Sequence, residues 1–338
     1  MKKFSGLMIG MIVCVMMAWP QAGIAKTKKI TIQCAYPETA YVGQSTIFFA
    51  KRVKELTKGE VDIKVFWPGQ LVKTKEAFES VKTGMIDGYS GSMLYFAGFV
   101  PEVNAEWLPF GWSTPQEASD VYEKYGWLEL MREATQKHGV RYIAPLGVAS
   151  MGLITKVPVR TVDDLKGLKI RAVGMEAKII AALGGSAVAV SGAEQYMALK
   201  QGVVDGTDYP FYTIGQYKFY EVCDYITRPA LHTPGMVEII MNDESYKSLS
   251  EANQKAIDQA GWETFQRTVK LNEEWDKEAY AVCKEKNVEI IDLTPEALEE
   301  FRAKIYPLWD EVAQKSDISK RLVDKLKAYL NDKGVKIQ

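Results

Sequence analysis

Two histidines, His138 and His232, and four cysteines are all that 338 residues provide. No His-Glu-x-x-His, Cys-x-x-Cys or Gly-x-Ser-x-Gly string occurs. Those absences remove the plainest sequence signs of metallopeptidase, thiol-redox and hydrolase chemistry. A glycosidase-type carboxylate pair stays open, because nothing selects two among 43 acidic residues. An excess of one charge is also missing: 42 basic side chains against 43 acidic ones leave a formal charge of −1, which points away from nucleic acid and anionic membrane surfaces. Cys34, Cys223 and Cys283 are too few and too scattered for a disulfide framework or a zinc site and read as small buried hydrophobes. A Cys223 to Cys283 bridge stays open, since sequence cannot show whether the two meet.

One long apolar run is present, at the start. Lys2 and Lys3 precede an uncharged stretch from Phe4 to Trp19, then Pro20 and Ala22-Gly23-Ile24-Ala25. Its length falls short of the ~20 residues that a span needs, so residues 1–25 are read as a signal peptide cleaved after Ala25, which predicts a periplasmic protein. Cys14 within it follows Ile12-Val13 rather than the small residue of a lipid-attachment site. Losing Lys2 and Lys3 moves the formal charge from −1 to −3.

Past the signal, Ile30 to Cys34, Val61 to Phe66 and the residues after Gly84 read as strands, separated by amphipathic helices. The second half repeats the order, with strands at Lys169 to Val173, Ala187 to Val190 and Val203-Val204. Such alternation predicts an α/β protein with parallel sheets. FESVKTGMIDG at 78–88 and YMALKQGVVDG at 196–206 are echoes 118 positions apart. Each reads as a helix closed at Gly and a strand that ends in Asp-Gly, with the residues beyond at the carboxyl end of a parallel strand, where open α/β sheets bind ligands. The repeated Lys, Gly and Asp are read as corner residues. The candidates lie just beyond them, Ser90, Ser92 and Tyr95 in one copy and Asp208 and Tyr209 in the other. From Glu251 to Lys286 the chain keeps helical character without proline, long enough at 1.5 Å per residue to brace two lobes. A Leu-rich helix from Ile318 to Leu330 is a packing or oligomer element, and monomer and homodimer both stay open.

Trp67-Pro68-Gly69-Gln70-Leu71, Leu108-Pro109-Phe110, Asp164 to Arg171 and Gln201 to Gly206, taken in this order and spacing, resemble the extracytoplasmic solute-binding subunits of TRAP transporters. The resemblance runs over nearly all the mature chain. It implies two α/β lobes, a deep cleft between their sheets, a long helix crossing both, no enzymatic activity, and delivery of a small organic acid to a sodium-driven TRAP permease. On this reading residues 26–148 with about 235–270 form lobe I, and 149–234 with about 271–338 form lobe II. A ligand-dependent sensor partner of the same fold is the alternative; neighbouring permease or receptor-kinase genes discriminate between them.

The resemblance assigns the substrate carboxylate to Arg171, whose planar guanidinium offers paired donors to two oxygens. Strand parity alone does not select it, because Lys169 shares its face. Met151 stands where sialic-acid-binding relatives carry a second Arg, so one anionic anchor is expected. Asp208-Tyr209 replaces the family's usual Glu-Asn pair and is similar to the acid and aromatic of the 2-oxo acid branch. There the acid ligates a cation, which leaves calcium or sodium open at Asp208. Ser150 falls where that branch has a ligating Gln and is a poorer ligand. Tyr36 and Glu38 after the first strand are candidates for the opposite wall, and Phe110, Phe211 and Tyr212 for apolar cover. The expected ligand is a monocarboxylate, a 2-oxo or 2-hydroxy acid, held as the two lobes close on it.

Overall fold

The computed structural model describes residues 27–147, 150–232 and 234–335, and the signal segment expected at 1–25 lies outside them. Its strands are β1 (Lys28–Cys34), β2 (Val61–Phe66), β3 (Gly88–Gly91), β4 (Val140–Gly147), β5 (Met151–Thr155), β6 (Lys169–Arg171), β7 (Ser186–Val188), β8 (Gly206–Pro210), β9 (Tyr225–Arg228), β10 (Met236–Asn242) and β11 (Glu289–Asp292). They form two sheets, ordered β2-β1-β3-β10-β4 and β11-β9-β5-β8-β6-β7. Each sheet centres one lobe of an α/β molecule, as expected.

Neither sheet is wholly parallel. β10 runs antiparallel to β3 and β4, and β5 runs antiparallel to β8 and β9. Both reversed strands come after a point where the chain passes from one lobe to the other, so each enters its sheet without the crossover helix that would keep it parallel. The two echoes meet these strands. Gly84 and Gly202 both take φ +73. Asp87 accepts from Thr31 N at 2.8 Å, and Asp205 from Lys169 N at 2.9 Å, so each acid pins the neighbouring parallel strand. The strands begin at Gly88 and Gly206 rather than ending there, which corrects the sequence reading. The reason is crowding: a Cβ on Gly88 would lie 2.8 Å from Ile240 O, and one on Gly206 2.9 Å from Ile154 O, so only glycine lets the reversed strand pass.

The helix Glu251–Lys286 spans 36 residues, capped by Ser250 Oγ accepting from Asn253 N. It packs on β4 and the helix Tyr41–Leu56 in the first lobe and on Thr213–Gln216 and β11 in the second. The helix Asp317–Asp332 buries Ile318, Leu322, Val323, Leu326 and Leu330. It packs on the 3-10 helix Pro101–Trp107 and the helix Trp127–Gln136. Trp127 Nε1 donates to Leu322 O at 3.1 Å. That helix therefore packs on elements of the first lobe, whereas the expected boundaries put it with the second. Cys34, Cys223 and Cys283 are buried free thiols.

Candidate functional site

β6 carries its three residues into different surroundings: Lys169 is exposed, Ile170 sits in the core, and Arg171 is 1% exposed at the strand's carboxyl end. Arg171 pairs with Thr207 of β8 and Val188 of β7, so that end of β6 is flanked on both sides, and the side chain reaches Tyr95 of the first lobe. Arg171 Nε donates to Val190 O at 2.9 Å, Nη1 to Glu176 Oε2 at 3.0 Å, and Nη2 to Tyr95 OH at 3.0 Å. A guanidinium has five N–H donors, so one on each terminal nitrogen remains. The charge also stands over the Tyr209 ring at 5.0 Å.

Glu176 is the partner that sequence reasoning missed. It opens the helix Gly174–Ala182, where Oε2 also accepts from Val173 N at 3.1 Å, and it is 2% exposed. Burial pushes its carboxyl up to about 7, with Asp208 raising it further and Arg171 and His232 pulling it down. An acid three residues into a helix ordinarily reads as a cap; its spacing from Arg171 was the available signal. His232 is the second omission. Its Nε2 lies 3.2 Å from Asp208 Oδ2, both side chains being fully buried, and its ring is 5.4 Å from that of Trp107. Being one of only two histidines was its one mark in the sequence.

A narrow slot of about 20 Å³, closed down to room for about one water molecule, lies against Arg171. The first lobe contributes Tyr36, Ser92, Tyr95, Trp107 and Val237, and the second Met151, Val173, Glu176, Tyr209, Pro210 and Tyr212. Burial pushes the Tyr36, Tyr209 and Tyr212 hydroxyls well above their ordinary range, so they stay protonated. Tyr95 joins the lobes, its oxygen accepting from Arg171 and, at 3.1 Å, from Gly192 N. Gly192 is a close approach, since a Cβ there would lie 2.5 Å from Tyr209 OH. Tyr209 OH, Trp107 Nε1 and Asp208 Oδ1 are buried and take no hydrogen bond from the described residues, while Asp208 Oδ2 faces His232 Nε2. Buried groups of this kind are the ones a bound molecule can satisfy.

Seven of the expected site residues thus gather in one region: Arg171, Tyr209, Met151, Tyr36, Ser92 and Tyr95 on the slot, and Asp208 beside it with His232. Four do not line it. Glu38 is exposed. Ser90 is buried behind the sheet with Thr46 Oγ1 at 2.7 Å. Ser150 donates to Asp276 Oδ2 at 2.6 Å and, with Phe211, lines an adjoining open space of about 400 Å³, as does Phe110. Strand parity does not explain the failures, since Ser90 stands two residues before Ser92 and Phe211 two after Tyr209; the strands end between them, and local bonds hold Ser90 to Thr46 and the Phe211 N–H to Ser150 O at 2.9 Å.

The same geometry tests the cation. Among the described residues no three His, Cys, Asp or Glu side chains converge as a metal set. His232 stands against Asp208 where a hard cation would need further oxygens, and Ser150 is turned to Asp276. Of the two expected ligands, Asp208 and Ser150, only Asp208 has a carboxylate oxygen left without a hydrogen bond among the described residues.

The model of DctP, bacterial extracellular solute-binding protein family 7, matches residues 33–316. A solved TRAP periplasmic solute-binding protein of Rhodobacter sphaeroides in an apo open form is 30% identical, covers 91% of this chain and 99% of its own, and gives a TM-score of 0.69. One from Desulfovibrio salexigens with bound orotic acid is 27% identical, covers 90% and 99%, and gives 0.83. The better fit to the ligand-bound form, despite lower identity, agrees with the tight approach of the lobes at Tyr95. A monocarboxylate 2-oxoacid-binding periplasmic protein of Nostoc sp. is 23% identical over 317 residues, 91% of this chain and 85% of its own. Other structures of this fold hold sodium or calcium together with pyruvate.

Proposed function

We propose, because this chain belongs to the DctP family of TRAP solute-binding proteins, that it captures a small monocarboxylate at Arg171 and delivers it to a TRAP permease. Members of the family are periplasmic binding proteins for small organic acids, not enzymes, and work with membrane permeases. Among the described residues no helix is long and apolar enough to cross a membrane.

The observation that carries the finer reading is the pair of N–H donors left on Arg171 inside a slot walled by both lobes. A carboxylate accepts from both at once, and exclusion of water strengthens the contact. The walls Tyr36, Tyr95, Trp107, Tyr209 and Tyr212 favour a short, flat body behind that carboxylate, and Tyr209 OH and Trp107 Nε1 can meet a polar atom such as a 2-oxo or 2-hydroxy oxygen. One cationic anchor, with the apolar Met151 on the same slot, supports a monocarboxylate over a dicarboxylate. Closure comes from the site's division between lobes, since only the closed form offers both sets of contacts. The 2-oxoacid-binding relative and the orotate-bound structure support the same ligand class. Binding without a cation is part of the proposal, on His232 standing against Asp208 and Ser150 being turned to Asp276.

A thermal-shift screen of pyruvate, lactate, orotate, pyroglutamate and succinate, each with calcium and with EDTA, tests this reading. Stabilisation by at least one monocarboxylate, equal in calcium and in EDTA, and lost in Arg171→Ala, is expected. Stabilisation by succinate alone, or a shift that survives Arg171→Ala, overturns it.

A further inference from the structure

Arg171 already carries a buried acid, and a bound carboxylate must share the same guanidinium. We propose that capture of a carboxylate at Arg171 is coupled to uptake of one proton by Glu176, so that the site takes up an acid as anion plus proton. The inference rests on the anchoring role given to Arg171 above.

The geometry supplies the pressure. Glu176 lies 3.0 Å from Arg171 at 2% exposure, and both line the slot. A second anion on the two free N–H groups would put two negative charges against one positive charge, with Asp208 close by, where little water can screen them. Few other cations face this group. From β6 there is Arg171, from β8 Asp208 and Tyr209, from the segment before β10 His232, and from the 3-10 helix Met93–Phe96 Tyr95. β7 carries no titratable side chain. In Pro101–Trp107, Glu102 accepts from Ser316 Oγ and Glu106 from Tyr142 OH. In the helix Pro295–Ile305, Glu296, Glu299, Glu300, Arg302 and Lys304 are exposed or half-buried. Lys178, on the helix of Glu176 itself, pairs with Glu311 at the surface.

Protonation relieves the conflict with the least rearrangement. Burial already holds the Glu176 carboxyl at about 7, so near neutral pH the proton is available at little cost, and a second anion raises the affinity for it. The proton comes from solvent and forms an O–H bond on Glu176; no bond in the ligand breaks. Oε2 keeps its contacts to Arg171 and Val173 N, and the acid gains a donor that a ligand oxygen can accept.

Titration calorimetry of orotate and pyruvate, in phosphate and in Tris, reads the proton directly through the two buffers' different ionisation enthalpies. Roughly half a proton per bound acid is expected at pH 7, approaching one at pH 8 and none near pH 5.5, the pattern of a group half protonated near 7 before binding. Glu176→Gln should show no proton uptake in the binding it retains. If that variant fails to fold, infrared difference spectra of wild-type protein with 13C-labelled glutamate carry the test, with a new protonated-carboxyl band expected on adding orotate. Equal heats in both buffers at pH 7 and 8, or uptake that persists in Glu176→Gln, overturns the coupling while leaving the anchor intact. Failure of every monocarboxylate in the screen to bind removes the anchor and the coupling together.

Discussion

Each lobe buries a carboxyl group where water cannot reach it, and the two lobes treat it differently. In the first, Glu106 and Glu238 are both fully buried. Glu106 accepts from Tyr122 and Tyr142, and Glu238 accepts from Met93 N at 2.5 Å, beside Ser92 of the slot. Burial pushes Glu106 up to about 7 and Glu238 well above the usual carboxylate range, where it is raised further by Glu106. Set among hydroxyls, a backbone N–H and each other, these acids are stabilised by holding a proton. In the second lobe Glu176 is buried as deeply but faces Arg171, which still has donors to offer. Burial alone does not make an anion site. A fixed positive charge with unfilled donors does, and the acid pair of the first lobe acts as scaffold, tying β10 to the segments that bear Ser92 and Trp107.

The contrast breaks first at Arg171. Arg171→Ala should weaken binding of the best monocarboxylate by more than ~2 kcal/mol, since a charged ligand would be left unpaired in a closed slot, whereas Glu106→Gln should change it by less than ~0.5 kcal/mol. Calorimetry on both variants decides, and equal losses would erase the distinction between site and scaffold.

Stability against pH sharpens the other side. Glu106 binds its proton more tightly folded, at about 7, than at its ordinary 4.5, so between those values the folded state holds more protons than the unfolded one. Its contribution is therefore full below about 4.5 and is lost as pH rises through about 7. Urea midpoints for wild type should fall between pH 5.5 and pH 8, and the fall should be shallower in Glu106→Gln. An identical slope in both proteins would sink this assignment.

A smaller effect is expected at Gly192. Alanine there presses on Tyr209 OH, at a point where the lobes meet through Tyr95, and should cost about 1 kcal/mol in affinity, with circular dichroism unchanged. Unaltered affinity would mean that the slot closes loosely. The smallest expected change is that from metal: EDTA or calcium should alter the dissociation constant by less than about twofold, and a tenfold gain with calcium would restore Asp208 as a ligand.

Periodicity and punctuation were enough to read the alternating α/β halves, the 36-residue helix and the paired corners at Asp87 and Asp205, because helix faces, closing glycines and strand runs are local signals. The family resemblance singled out Arg171, and the slot forms around it. Ser90, Ser150, Glu38 and Phe211 were misjudged because proximity in sequence to a lining residue does not say which way a side chain faces. The reversal of β5 and β10 escaped for a related reason, since strand direction depends on where the chain crosses between lobes.

Local chemistry, written in the order of residues, settled that this chain folds as two related α/β lobes and that one arginine at the end of β6 was the place to look. Tertiary structure alone decided that this arginine already holds Glu176, that His232 stands at Asp208, and that Tyr95 reaches across from the other lobe. Those pairings join residues 5, 24 and 76 positions apart. Their energies come from shared burial and charge, and the Tyr95 contact does not exist until the two lobes meet.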